Sequence, residues 1–279
     1  MKRNVILDAS AAETDDEPPS PSTSDLKDKL VSAISNLRSL QERDGDFSID
    51  FGVKGGEINE TSRAPQTVDY YAISKDVGDA AKEVVEIANQ LAAISPTEEP
   101  TQYLGDKVNG DKAPLDGPWK LLFTTAADAS FSKNSTRGMA RVQNVVNAKK
   151  GRITNVIDFE PKADGSLPPL KQLNVVIKAK AEDKKRVGLV FKYAKAVLNK
   201  RIFGRHIALY IPVPAPFITR LIVLLSRIFK FGRGGQKKVP KASFDVVYLD
   251  EFLRIHRTMD NNLFVQGKEK WAAAVPFFR

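Results

Sequence analysis

PWKLLFTT (residues 118–125) is where the hydrophobic period of this 279-residue chain changes from about 3.6 to about 2. Downstream, RVQNVVNAKKGRITNVIDFEP (141–161) alternates apolar and polar residues on both sides of Lys149-Lys150-Gly151, the pattern of a β-hairpin. Leu173, Val175, Ile177 and Ala179 alternate with polar or basic neighbours, as do Val187, Leu189, Phe191 and Tyr193 on the next segment. RHIALYIPV (205–213), FDVVYLD (244–250), LRIHRTM (253–259) and LFVQGK (263–268) continue the pattern. About eight short strands in succession predict an antiparallel sheet, and that number suits a closed barrel able to hold one ligand.

Upstream of Pro118 the periodicity is helical. Residues 9–24 are polar, acidic and rich in Pro and Ser, so 1–24 read as a disordered tail. Ser24 or Asp25 then caps a helix running to about Arg43, with Leu26, Leu30, Ile34 and Leu37 at helical spacing and Gly45 as its stop. Glycines and Pro65 make 44–66 a loop with at most a short strand. A second helix is expected from about Thr67 to Ile94. Its apolar stripe is Val77, Ala80, Ala81, Val84, Val85, Ala88 and Leu91, with Gly78 as a candidate interruption and Pro96 and Pro100 beyond its end. The expected class is therefore α+β: a helical segment over 25–100 and a β-barrel over 101–279, together one domain.

The chain has no cysteine and only two histidines, His206 and His256. Disulfides, thiolate metal sites and cysteine nucleophiles are excluded, and no cofactor is called for. The net charge of +9 is uneven: residues 1–25 carry −4, whereas 178–241 hold seventeen Lys or Arg against Glu182 and Asp183 alone. Such a basic half favours anionic partners without choosing among nucleic acid, acidic lipid and acidic protein. No stretch reaches the roughly 18–20 apolar residues of a membrane-spanning helix. No apolar h-region follows Lys2 and Arg3, so a secretory signal is not indicated. The acidic residues there also run against a transit peptide, and an imported protein would carry its targeting segment outside this sequence.

One stretch breaks the alternation. Within residues 212–238, Phe217 to Phe231 is an apolar block punctuated by Arg220, Arg227 and Lys230. As a helix from about Pro216, it would present Phe217, Leu221, Leu225 and Ile228 beside those cations. Two readings stay open: a helix lying in a membrane interface, and a helix packed on or plugging the barrel.

LDGPWKLLFTT (115–125) resembles the signature that opens the barrel of the plastid lipid-associated protein, or PAP/fibrillin, family, with Phe123 in place of a Tyr. YLDEFLRIHRTMDNNLFVQ (248–266) is similar to the family's closing signature, departing at His256 and Thr258. Between them, Val142-Gln143-Asn144 and Gly151 to Asn155 fit the central hairpin, so the likeness spans roughly 25–268. It implies a lipocalin-like barrel in plastids, associated with thylakoids or plastoglobules. The implied role is non-enzymatic: binding or organising carotenoids, quinones and membrane lipids. The segment 212–238 belongs to the variable part and inherits nothing.

Trp119, Val175, Ile177, Val187, Leu189 and Phe191 are the candidate ligand-facing residues of the barrel interior. Trp119 can close the base while its indole N–H finds a carbonyl partner. Tyr248, Asp250, Arg254 and Arg257 are the candidate closure residues. Arg254 and Arg257 point to opposite faces of one strand, so one of them can turn inward and pair with Asp250 or Glu251. Gly232-x-Gly234-Gly235-x-Lys237 lacks phosphate-loop spacing. No nucleophile–base spacing or metal-ligand cluster stands out. Two other classes remain: a basic nucleic-acid-binding module, and a barrel enzyme acting on a small apolar substrate. Base stacking needs exposed aromatics among the cations, whereas Phe191, Tyr193 and Phe203 alternate with apolar residues as core positions do.

Overall fold

The computed structural model describes residues 22–46, 67–127, 139–162, 164–212 and 242–272. Helix α1 (Thr23–Asp44) opens at Ser22, whose hydroxyl accepts from the Asp25 amide while the Asp25 carboxylate accepts from the Ser22 amide. This reciprocal capping box sets the start earlier than Ser24 or Asp25, because Asp25 is the third residue of the first turn. Leu26, Leu30, Ala33, Ile34 and Leu37 form its buried stripe.

The second helix is shorter than 67–94. Thr67 bridges Ala126 in an extended pairing. Tyr70–Ala72 is a 3₁₀ turn capped by the Asp69 carboxylate. Helix α2 (Lys75–Ala93) starts only after Ser74, whose hydroxyl accepts from the Val77 amide. Two successive capping side chains break the run that hydropathy alone would join. Gly78 does not interrupt α2. It is where the Tyr71 ring lies, since a Cβ there would sit 2.1 Å from Tyr71 Cδ1.

Nine antiparallel strands follow: β1 (Gly117–Thr124), β2 (Ala140–Asn147), β3 (Arg152–Phe159), β4 (Leu170–Ala181), β5 (Arg186–Ile202), β6 (Arg205–Pro212), β7 (Ala242–Leu249), β8 (Leu253–Thr258) and β9 (Leu263–Gly267). A short helix, α3 (Glu269–Ala272), ends the described chain. The β2–β3 connection is a 3₁₀ turn closed by Gly151 in the left-handed region at φ +53°, which suits glycine. The order β4-β3-β2-β1-β9-β8-β7-β5 closes on itself because β5 also pairs with β4.

The expected count of about eight describes this ring, and β6 is the ninth strand. The reason is the length of β5. Its first residues, Arg186 to Leu189, pair with β7, and Tyr193 to Ile202 pair with β6 along the same edge.

Alternation splits the sheet into two faces. Leu122, Phe123, Tyr248, Leu253, Ile255, Leu263 and Val265 pack against the stripes of α1 and α2 in one buried cluster. The helices are therefore fastened to the outside of the ring, across β1, β7, β8 and β9. A bulge at Leu121/Phe123 frees the Leu122 carbonyl, which accepts from Arg38 Nη2 of α1 at 3.0 Å. Lys27 of α1 reaches Asp250 at 2.7 Å. The opposite face of the strands points into the ring.

Candidate functional site

Trp119, Val146, Ile153, Ile177, Ala179, Val187, Phe244, Val246 and Leu249 form the inner cluster, with Val175, Leu189 and Phe191 partly buried against it. All six candidate ligand-facing residues are thus neighbours on one face. Trp119 is fully buried, and its indole N–H donates to the Leu115 carbonyl at 2.9 Å. Gly117 sets up that approach at φ +105°.

The four candidate closure residues do not form one group. Tyr248 faces the helices, and its hydroxyl donates to Asp250 Oδ2 at 2.7 Å. Asp250 also accepts the Phe252 and Leu253 amides at 2.8 and 2.7 Å, so it caps the β7–β8 turn and ties it to α1. Arg257 faces outward and donates to Asn261 and to Asn89 of α2. Arg254 is the inward arginine, fully buried, with its guanidinium carbon 5.2 Å from the centre of the Trp119 ring. Its partner is not the expected carboxylate. Asp250 is engaged in the β7–β8 turn by Tyr248, Lys27 and the Phe252 and Leu253 amides. Instead Nε donates to Gln266 Oε1 at 2.9 Å, and Nη2 donates to the same oxygen and to Asn144 Oδ1 at 2.7 Å.

Around Arg254 the interior is polar. Gln266 Nε2 donates to Asn144 Oδ1 at 3.0 Å, and Asn144 Nδ2 donates to Asn155 at 2.6 Å. His256 is buried, stacked on Phe264 at 4.8 Å and tilted against Phe244 at 4.5 Å. Arg254 Nη1 and His256 Nδ1 have no hydrogen-bond partner. Burial lowers the Arg254 pKa to about 9, which leaves it a cation at neutral pH. Burial, with the Arg254 charge adding to it and a hydrogen bond to Gln266 opposing it, holds His256 well below the usual histidine value. Sequence reasoning missed Asn144, Asn155 and Gln266 as interior residues. The signal was present: Asn144 breaks the apolar parity of Val142 and Val146, and Asn155 that of Ile153 and Ile157.

The segment bearing Phe217, Arg220, Leu221, Leu225, Arg227, Ile228 and Lys230 lies outside the described residues. Of the three aromatics assigned to the core, only Phe191 is there. Tyr193 is exposed because a register shift between Phe191 and Tyr193 turns it to the other face of the sheet, and Phe203 is completely exposed because it sits in the turn beyond the pairing with β4. Among the described residues no helix is long and apolar enough to cross a membrane. Among them too, no group of three acidic or histidine side chains could hold a metal ion.

No curated protein and no solved structure gives a significant match to the chain. A family model described as PAP_fibrillin matches residues 73–266. That span is more than half of the chain and takes in α2, the Trp119 turn and the β7–β9 strands that carry the buried Arg254. By that match, this protein belongs to the PAP/fibrillin family.

Proposed function

We propose that this protein is a non-enzymatic lipid-associated protein of plastids, whose ring of strands works as a lipocalin-like barrel. The barrel binds hydrophobic molecules such as carotenoids, quinones or membrane lipids, and the protein acts at thylakoid or plastoglobule surfaces. Family membership supports the plastid and lipid parts of this reading. The observation that carries the interior site is the inner cluster itself. Trp119, Ile177 and Val187 are buried in it, while Val175, Leu189 and Phe191 are only partly covered by protein. Apolar side chains left half covered on an inward face are what an apolar ligand would complete.

Helices and barrel act as one domain, with 25–100 as its helical part and 101–279 as its barrel part. The shared cluster of α1, α2 and the outer strand face supports that division. A displacement titration with a fluorescent polyene fatty acid tests the interior site. Val175→Trp, which fills the half-covered region, should weaken probe binding about tenfold or more with an unchanged circular-dichroism spectrum. Equal binding by Val175→Trp and the unaltered protein would remove the ligand from the interior.

A further inference from the structure

Beyond its last pair with β7, β5 pairs with β6 in a ribbon from Tyr193↔Pro212 out to Ile202↔Arg205, with β4 on its other edge as far as Leu198. Pairing of β5 with β4 ends at Leu198, so Lys200 to Arg205 pair only within the ribbon. The connecting turn has both central residues in the left-handed region, Phe203 at φ +49° and Gly204 at φ +76°. Such a turn matches the twist of the flanking strands, and glycine is suited to it, whereas a bulky aromatic is a rare occupant. Phe203 is 100% exposed there, with Ile202 beside it at 51%. Further along, Leu209 is 49% exposed and Tyr210 64%.

The surrounding charge is of one sign. Lys200, Arg201 and Arg205 are exposed around the tip. Lys171 Nζ and Arg201 Nε both lie 3.3 Å from His206 Nε2. Between Lys184 and Phe244 the sequence holds no Asp or Glu. Higher on the ribbon, Tyr193 and Tyr210 lie 6.1 Å apart with Lys195 over the Tyr210 ring at 5.6 Å. Tyrosines backed by a lysine suit the headgroup level of a membrane, above an apolar tip that enters it.

We propose that the β5–β6 ribbon is a docking element for an anionic lipid surface. Phe203 and Ile202 enter the acyl boundary, and Lys200, Arg201 and Arg205 meet the acidic headgroups. Charge complementarity selects the sign of the surface. The side chains select lipid over single-stranded nucleic acid. Phe203, Tyr193 and Tyr210 could stack on bases, but Ile202, Leu209 and Ile211 gain nothing from a base and all gain from leaving water. The tip, Lys200 to Arg205, lies beyond the β4 pairing that closes the ring, so this docking is independent of whether the interior holds a ligand.

Flotation of the full chain with phosphatidylcholine vesicles, with and without phosphatidylglycerol, tests the proposal. The unaltered protein should float with the anionic vesicles. The double variant Ile202→Ser/Phe203→Ser should bind them about tenfold or more weakly, the partition lost with two large apolar side chains. Lys200→Glu/Arg201→Glu/Arg205→Glu should abolish the preference for phosphatidylglycerol. Met259→Ser, an exposed apolar residue on another turn, should float as the unaltered protein does. Polyene-probe binding should be the same in all of them, which keeps the interior site separate from this surface. In Phe203→Trp, tryptophan emission should shift to the blue on adding anionic vesicles. Unchanged flotation of the serine double variant, or an unshifted emission, overturns the proposal. Loss of oligonucleotide gel shift with flotation intact would reassign the ribbon to nucleic acid.

Discussion

His256 should make the protein acid-sensitive in a window set by one side chain. Its ring is held neutral in the interior between Phe244 and Phe264. On the neighbouring strands it faces Val246 of β7 and Phe264 of β9, Gln266 shares a hydrogen bond with it, and the charge acting on it is that of Arg254 on its own strand. Its folded pKa lies well below that of the unfolded chain, about 6.5. The sign follows: above about 6.5 both states hold a neutral ring and the group is silent. As pH falls below that value the unfolded chain takes up the proton first, so stability is lost until the folded pKa is reached. The slope approaches about 1.4 kcal/mol per pH unit once the pH is well below about 6.5 and above the folded pKa. His256→Phe keeps an aromatic ring in the stack and removes the titration. Urea midpoints measured for both proteins from pH 7.5 to 4.5 give the difference in stability, in which acidic groups common to the two cancel. That difference should be flat above about 6.5 and should turn steadily in favour of the phenylalanine variant below it. Parallel profiles across the whole range would refute the buried, neutral state of His256.

Other perturbations test separate joints. Asp250→Ala removes the acceptor shared by Tyr248, Phe252, Leu253 and Lys27, and should cost about 2–3 kcal/mol in chemical denaturation, against under about 1 kcal/mol for Lys27→Met. Gly110→Ala should destabilise by about 1–3 kcal/mol, because the new Cβ would fall 2.4 Å from Lys149 Cα, a backbone atom that cannot swing away. Leu221→Ser/Leu225→Ser/Ile228→Ser, in the basic apolar stretch 216–231, should weaken vesicle flotation if that stretch meets the lipid surface, and undiminished flotation of the folded variant would return it to the core.

Much of the fold was legible because burial imposes a period. Leu26, Leu30, Ile34 and Leu37 repeat at helical spacing and are all buried. Val175, Ile177, Val187, Leu189 and Phe191 alternate and meet in one cluster. Element starts were less legible. Ser22 and Ser74 begin their helices through side-chain hydrogen bonds that hydropathy does not register.

Closure of the ring and the place of β6 depend on β5 being seventeen residues long, and alternation continues unchanged where β5 leaves the core. That continuity misassigned Phe203, which lies beyond the core, and a register shift after Phe191, invisible in hydropathy, turned Tyr193 to the other face. The partners of Arg254 were hidden for another reason. Gln266 is its register partner on the next strand, and Asn144, far away in sequence, meets it only because β1 and β9 bring β2 near β8. Nearby carboxylates in sequence were the wrong place to look.

The central claim is that the ring interior holds a hydrophobic molecule. Mass spectrometry of lipids extracted from protein purified under native conditions tests it most directly, with Val175→Trp purified in parallel. The prediction is a hydrophobic compound recovered in near-stoichiometric amount with the unaltered protein and strongly depleted with Val175→Trp. Native extracts free of lipid, or equal recovery from both proteins, would contradict it.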